Sequence, residues 1–86
     1  MPGEDWELWA RRLRRNPRRW YRIDDVSNGI AYKVAHGKIP ALARLTERSG
    51  GYIEASLKGI AKVQGERGTS LRGQLHLRWV PGRERE

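Results

Sequence analysis

The sequence predicts a small α+β domain, with an N-terminal amphipathic helix and a three-stranded antiparallel sheet that ends in a long hairpin. Three observations carry this. Trp6, Trp9, Ala10 and Leu13 fall at i, i+3, i+4 and i+7, one face of a helix. Ile53, Ala55, Leu57, Gly59, Ala61 and Val63 alternate with mostly polar residues, and Leu71, Gly73, Leu75, Leu77 and Trp79 do the same, which is the period of a half-buried strand. Eighty-six residues leave room for a single core, and four Trp and three Tyr supply enough ring area to build it although only 37% of the chain is hydrophobic.

The first helix is expected over residues 4–15. Glu4, Asp5 and Glu7 crowd its start and arginines its end, which suits the helix dipole, and Glu7 sits four residues before Arg11 as a favourable pair. Pro17 should stop it near Arg15 or Asn16. Residues 18–24 read as a strand on the strength of Trp20, Tyr21 and Ile23. Asp24 and Asp25 should end that strand and cap a second helix over 27–36, with Ile30, Ala31 and Val34 inward and Gly37 at its end. Residues 38–51 have two readings. Pro40 can open a helix with Ala41, Leu42 and Leu45 inside and Gly50-Gly51 at its end, or the segment can be an extended crossing and a loop.

Residues 52–80 form the hairpin, turning between Gly65 and Thr69. If paired residues sum to 134, Gly59 faces Leu75 and Ala55 faces Trp79, small against large. The outer face would then pair Lys62 with Arg72, Lys58 with His76 and Ser56 with Arg78. Like charges placed opposite one another are destabilising, so such a face either awaits an anion or is a solvated basic face that discourages edge pairing. Residues 1–80 make the domain, and the Arg/Glu alternation of 81–86 reads as a disordered tail.

Net charge is +8, and residues 11–19 carry six arginines and no acid. Such a chain attracts polyanions. Codon bias can choose Arg over Lys, but it does not create an excess of base over acid. The absence of cysteine fits a reducing cytoplasm, and no apolar run approaches a membrane span or a signal-peptide core, so a soluble cytoplasmic protein without a membrane partner is expected.

Catalysis finds little footing. Asp24-Asp25 is the acid pair on a predicted strand, and neighbours in a strand point to opposite faces, so capping and salt bridging are their expected roles. His36 falls at a helix end, and His76 falls on the outer hairpin face within reach of a phosphate. Two histidines and no cysteine do not make a metal site, and GERG lacks the spacing and lysine of a phosphate loop. No enzyme, metal or cofactor is expected.

Binding remains. The candidate phosphate-contacting residues are Arg11, Arg12, Arg14, Arg15, Arg18 and Arg19, with Lys58, Lys62, Arg72 and Arg78 on the hairpin. With the apolar stripe held down, the guanidinium groups of the first helix should point outward together. Tyr52 and Trp20 are candidates to stack on bases, core packing being the alternative for Trp20. Exposed Ile60, or an unpaired sheet edge, offers a route to a homodimer.

Two resemblances add to this. NPRRWYRI, HGKIP, GYIEASLKG and LHLRWVP resemble motifs of small basic proteins from actinobacteria and their phages, over Asn16 to Pro81. That resemblance implies origin and a β-α-β-β order and brings no biochemical role with it. The chain departs from it with a longer 41–51 segment and its IAKVQGERG turn. The order helix, strand, helix, turn, helix, hairpin also resembles a winged helix, with ALARLTERSGGYIEAS similar to a recognition helix running into a wing.

The expected function is nucleic-acid binding without catalysis, to double-stranded DNA before RNA, in a regulatory or architectural role and of phage derivation. The rival is a phage-type effector or inhibitor that docks its basic face on an acidic host protein, nucleic-acid-handling machinery included.

Overall fold

The computed structural model describes residues 5–66 and 68–82, apart from the side chain of Ser49. Its elements are α1 (Trp6–Arg15), β1 (Tyr21–Ser27), α2 (Asn28–Ala35), α3 (Pro40–Ser49), β2 (Tyr52–Gly65) and β3 (Gly68–Val80). The strands form one antiparallel sheet in the order β1-β3-β2, so the last strand lies in the middle. The α+β class and the long closing hairpin are as the sequence predicts, but two helices, not one, separate the first two strands. Pro40 stands at the start of α3, where a missing N–H costs nothing, and Gly50 closes it at φ +74°. Residues 38–51 are therefore helix and turn rather than an extended crossing.

Local chemistry sets each helix end. The Asp5 carboxylate accepts the Leu8 N–H (3.2 Å) at the start of α1. Asn16 closes α1 by donating its backbone N–H to the Arg12 carbonyl (3.1 Å) and its side-chain amide to the Tyr21 hydroxyl (2.8 Å). The expected strand over 18–24 begins three residues late because residues 16–19 turn. Arg18 takes φ +67° and donates its N–H to the Trp79 carbonyl (2.8 Å), while the Arg19 N–H returns to Asn16 (3.2 Å).

β1 also ends three residues later than expected, at Ser27. Asp24 and Asp25 do not end it. They form a bulge between Ile23 and Val26, with Asp25 at φ +55°. Ile23 and Val26 lie three residues apart and would face opposite ways in a regular strand, yet both are buried, because the bulge turns Val26 back inward. The cap of α2 is Ser27, whose hydroxyl accepts the Ile30 N–H (3.2 Å), and not an aspartate.

The hairpin register differs from the expected one. At its base Ile53 pairs with Trp79, Ala55 with Leu77 and Leu57 with Leu75, so partners sum to 132. Parity is kept, so the faces are as predicted, but each partner is displaced by two. A bulge between Lys58 and Ala61 then shifts the register by one, giving Ala61 opposite Arg72 and Lys62 opposite Leu71. None of the expected basic pairs forms. The outer face instead places Glu54 opposite Arg78, Ser56 opposite His76 and Lys58 opposite Gln74. This register is complementary in charge, so no anion has to be invoked to stabilise it.

Gly73 is the residue that tolerates the bulge. It pairs with Val26 in β1, and a Cβ there would lie 2.5 Å from the Lys58 carbonyl oxygen and 3.3 Å from Ile60 Cα. The backbone of β2 approaches β3 at the only kind of residue that can accept it.

The helices cover the sheet face that carries Leu75, Leu77 and Trp79. Those three join Leu13, Ile23, Val26, Val34, Ile39, Leu42 and Leu45 in one core, with Trp6, Trp9 and Tyr21 packed against its edge. Leu13, Leu75 and Leu77 are wholly buried. Trp20, by contrast, is not a core residue, being 48% exposed. Residues 83–86 of the expected tail lie outside the described residues, as does Glu4 of the expected first helix.

Candidate functional site

The basic residues sort by whether a carboxylate holds them. Arg22 pairs with Asp24 (3.1 Å), Arg72 with Asp25 (2.6 Å), Arg44 with Glu7 and Arg78 with Glu54. Arg72 also donates to the Asp25 carbonyl (2.8 Å), fastening β3 to the bulge of β1. Arg78 additionally lies over the Trp20 ring, 4.8 Å from its centroid. Two of the four hairpin candidates, Arg72 and Arg78, are therefore engaged inside the molecule. Lys58 and Lys62 stay exposed.

No such partner among the described residues holds Arg11, Arg12, Arg14, Arg15, Arg18 or Arg19, all of them exposed. The expected Glu7–Arg11 pair is replaced by Glu7–Arg44, a link between α1 and α3. That exchange leaves Arg11 unpaired among the described residues.

These arginines do not point outward together. Successive helical residues are turned by about 100°, so the stripe of Trp6, Ala10 and Leu13 separates two flanks. Arg12 lies on one, over the Trp9 ring at 4.9 Å. Trp9 in turn meets Tyr21 edge to face at 5.6 Å, and Arg19 lies 5.5 Å from the centre of the Tyr21 ring. Arg12, Trp9, Tyr21 and Arg19 thus form a continuous stack of cations and rings, in which the Trp9–Tyr21 contact joins α1 to β1. Arg11 and Arg14 occupy the other flank, facing α3.

There they meet Arg44 and Arg48 across a groove of about 390 Å³. Four guanidinium groups and the Glu7 carboxylate line its walls, a balance of +3. Ala10, Ala41, Leu45 and Trp79 make an apolar floor. The Trp79 indole N–H, sealed from water, has no acceptor among the described residues. Arg44 and Arg48 are absent from the sequence-derived candidates. Their spacing of four on α3 places them on one flank of it, a signal available in the sequence. Which helix that flank would face was not.

On the remaining surface, Tyr32 and His36 stack at 4.2 Å on the exposed side of α2. Tyr52, a stacking candidate, is 54% exposed. His76 lies on the outer sheet face between Arg22 and Ser56. At and beyond the β2 bulge, Ile60, Val63 and Leu71 are 51%, 42% and 41% exposed. Among the described residues, no three His, Asp or Glu side chains come together to hold a metal, and no helix is long and apolar enough to cross a membrane.

No protein family, curated protein or solved structure matches the chain.

Proposed function

We propose that this protein binds nucleic acid without catalysis, with double-stranded DNA as its target. The observation that carries the reading is the uneven use of carboxylates. The sheet arginines Arg22, Arg72 and Arg78 are each paired, whereas six arginines in and just after α1 have no carboxylate partner among the described residues. Unpaired guanidinium groups gain most from phosphates, because each phosphate bound releases condensed counterions and no internal ion pair has to break. The helix-strand-helix-helix-hairpin order supports a winged-helix mode, with α3 and the β2–β3 hairpin as the contacting elements. An actinobacterial or phage origin fits the sequence resemblance, and a regulatory or architectural role follows from binding without catalysis.

The test is a gel-shift salt series on random duplex DNA with the variant Arg15→Gln/Arg18→Gln/Arg19→Gln. These three lie outside the α1–α3 groove. Binding should weaken on all sequences alike, and the slope of log K against log salt should flatten by about 2–3 units, at about 0.9 for each phosphate lost. An unchanged slope in a folded variant refutes these arginines as the DNA surface.

One observation favours a second reading. The exposed apolar side chains of the distal hairpin suit a protein partner better than a phosphate backbone. An effector that docks on an acidic host protein follows if the parent protein fails to bind duplex DNA even at low salt.

A further inference from the structure

We infer that the α1–α3 groove is a binding site for a phosphorylated ligand of nucleotide size, set apart from Arg15, Arg18 and Arg19, which lie outside it. The inference goes beyond the nucleic-acid reading and does not require it.

Three features point there. The first is charge. Arg11, Arg14 and Arg48 line the groove with no carboxylate partner among the described residues, and Arg44 lines it already oriented by Glu7. A guanidinium presents a planar fork that grips phosphoryl oxygens in pairs, and four of them from two helices suit adjacent phosphoryl groups better than one isolated charge. The second is size. About 390 Å³ lies within the range of small-molecule sites, too small to admit a duplex. The third is the floor. Ala10, Ala41, Leu45 and Trp79 offer apolar surface, with small side chains at Ala10 and Ala41 leaving space for a flat group. A ligand that matches all three carries phosphoryl groups on a planar, largely apolar body. A free nucleotide has this chemistry, and so does the phosphorylated end of a nucleic-acid strand.

The groove could also be just the seam between two basic helices. In that case substitutions anywhere on the basic surface would act alike. Isothermal titration with ATP at low ionic strength, without added metal, separates the two. The parent protein should bind, and Arg14→Gln/Arg48→Gln should weaken binding by about tenfold or more, since two charge-assisted contacts are lost. The control Lys33→Gln/Lys38→Gln removes the same charge from residues outside the groove and should bind as the parent does. Both variants change exposed residues, and circular dichroism confirms that they fold. In ¹H–¹⁵N spectra the Trp79 indole signal should move on ATP addition in the parent and stay fixed in Arg14→Gln/Arg48→Gln. Failure of the parent to bind millimolar ATP, or equal weakening in both variants, overturns the site. Inorganic triphosphate that binds as tightly as ATP overturns the role of the apolar floor.

A 5′-phosphorylated single strand identifies the source of the ligand. If it displaces ATP and its unphosphorylated counterpart does not, the site takes a strand end. If neither displaces ATP, the site takes a free nucleotide. The parent protein tells which of the two readings has failed: duplex binding without ATP binding overturns the groove, and ATP binding without duplex binding overturns the nucleic-acid reading.

Discussion

Docking of α1 places two of the four groove arginines, so the strength of that docking can be tested through one side chain. Leu13 is the one α1 residue that is wholly buried, and it belongs to the core that includes Leu45 and Trp79. Leu13→Ala removes three carbon groups from that site. At about 0.8 kcal/mol for each, the lost transfer energy is about 2.4 kcal/mol. A cavity term adds to this wherever the helix cannot settle inward, and the Glu7–Arg44 link and the Arg12–Trp9–Tyr21 stack both resist such settling. A loss of about 3 kcal/mol is expected. An 86-residue domain has a total stability of about 4–13 kcal/mol, so the melting temperature should fall by about 12–24 °C. Urea unfolding followed by tryptophan emission measures this, with Leu8→Ala as the reference. Leu8 lies on the solvent side of α1, 37% exposed, and its truncation should cost less than about 1 kcal/mol. A Leu13→Ala protein as stable as the parent would show that α1 is an undocked arm, and the groove would lose its first wall with it.

Further outcomes test the sheet. Gly73→Ala should destabilise by about 1–3 kcal/mol, because the new methyl meets backbone at Lys58 and Ile60 rather than a movable side-chain end. Gly29→Ala meets nothing within 4 Å in the first turn of α2 and should stabilise by about 0.5 kcal/mol. Thermal melts of the two compare them directly, and melts in the reverse order would contradict the bulged approach of β2 to β3. A double-mutant cycle on Glu54→Ala and Arg78→Ala should give a coupling of up to about 1 kcal/mol, reduced by salt, since both side chains are partly exposed. Zero coupling at low salt would argue against the observed register.

Much of the fold was legible in one dimension. The helical stripe of Trp6, Trp9 and Leu13, the stop at Asn16-Pro17 and the alternation of Leu75, Leu77 and Trp79 are local patterns whose physics acts within a few residues. They fixed the helix, its end and the inner face of the central strand. Most of the arginines of residues 11–19 that lack a carboxylate among the described residues were visible for the same reason, since six bases with no acid among them leave only Arg11 a near helical partner, Glu7.

Whatever depends on a residue far along the chain was decided by tertiary structure. Asp24 and Asp25 read as a strand end because a turn and a bulge share the same residue types. Only Arg72, 47 residues beyond Asp25, fixes them as a bulge. The hairpin register slipped by two because a strand's period constrains the face of a residue and leaves its partner open, and one unforeseen bulge at Gly59 reverses the faces beyond it. Glu7 has Arg11 as its nearest helical partner, yet it pairs with Arg44, because packing α1 against α3 brings that guanidinium closer to its carboxylate. That single exchange leaves Arg11 without its expected partner and gives the groove its second wall. Sequence determines which side chains are charged and which face of a regular element is apolar; long-range packing determines where a bulge turns that face, which charges cancel and which are left for a ligand.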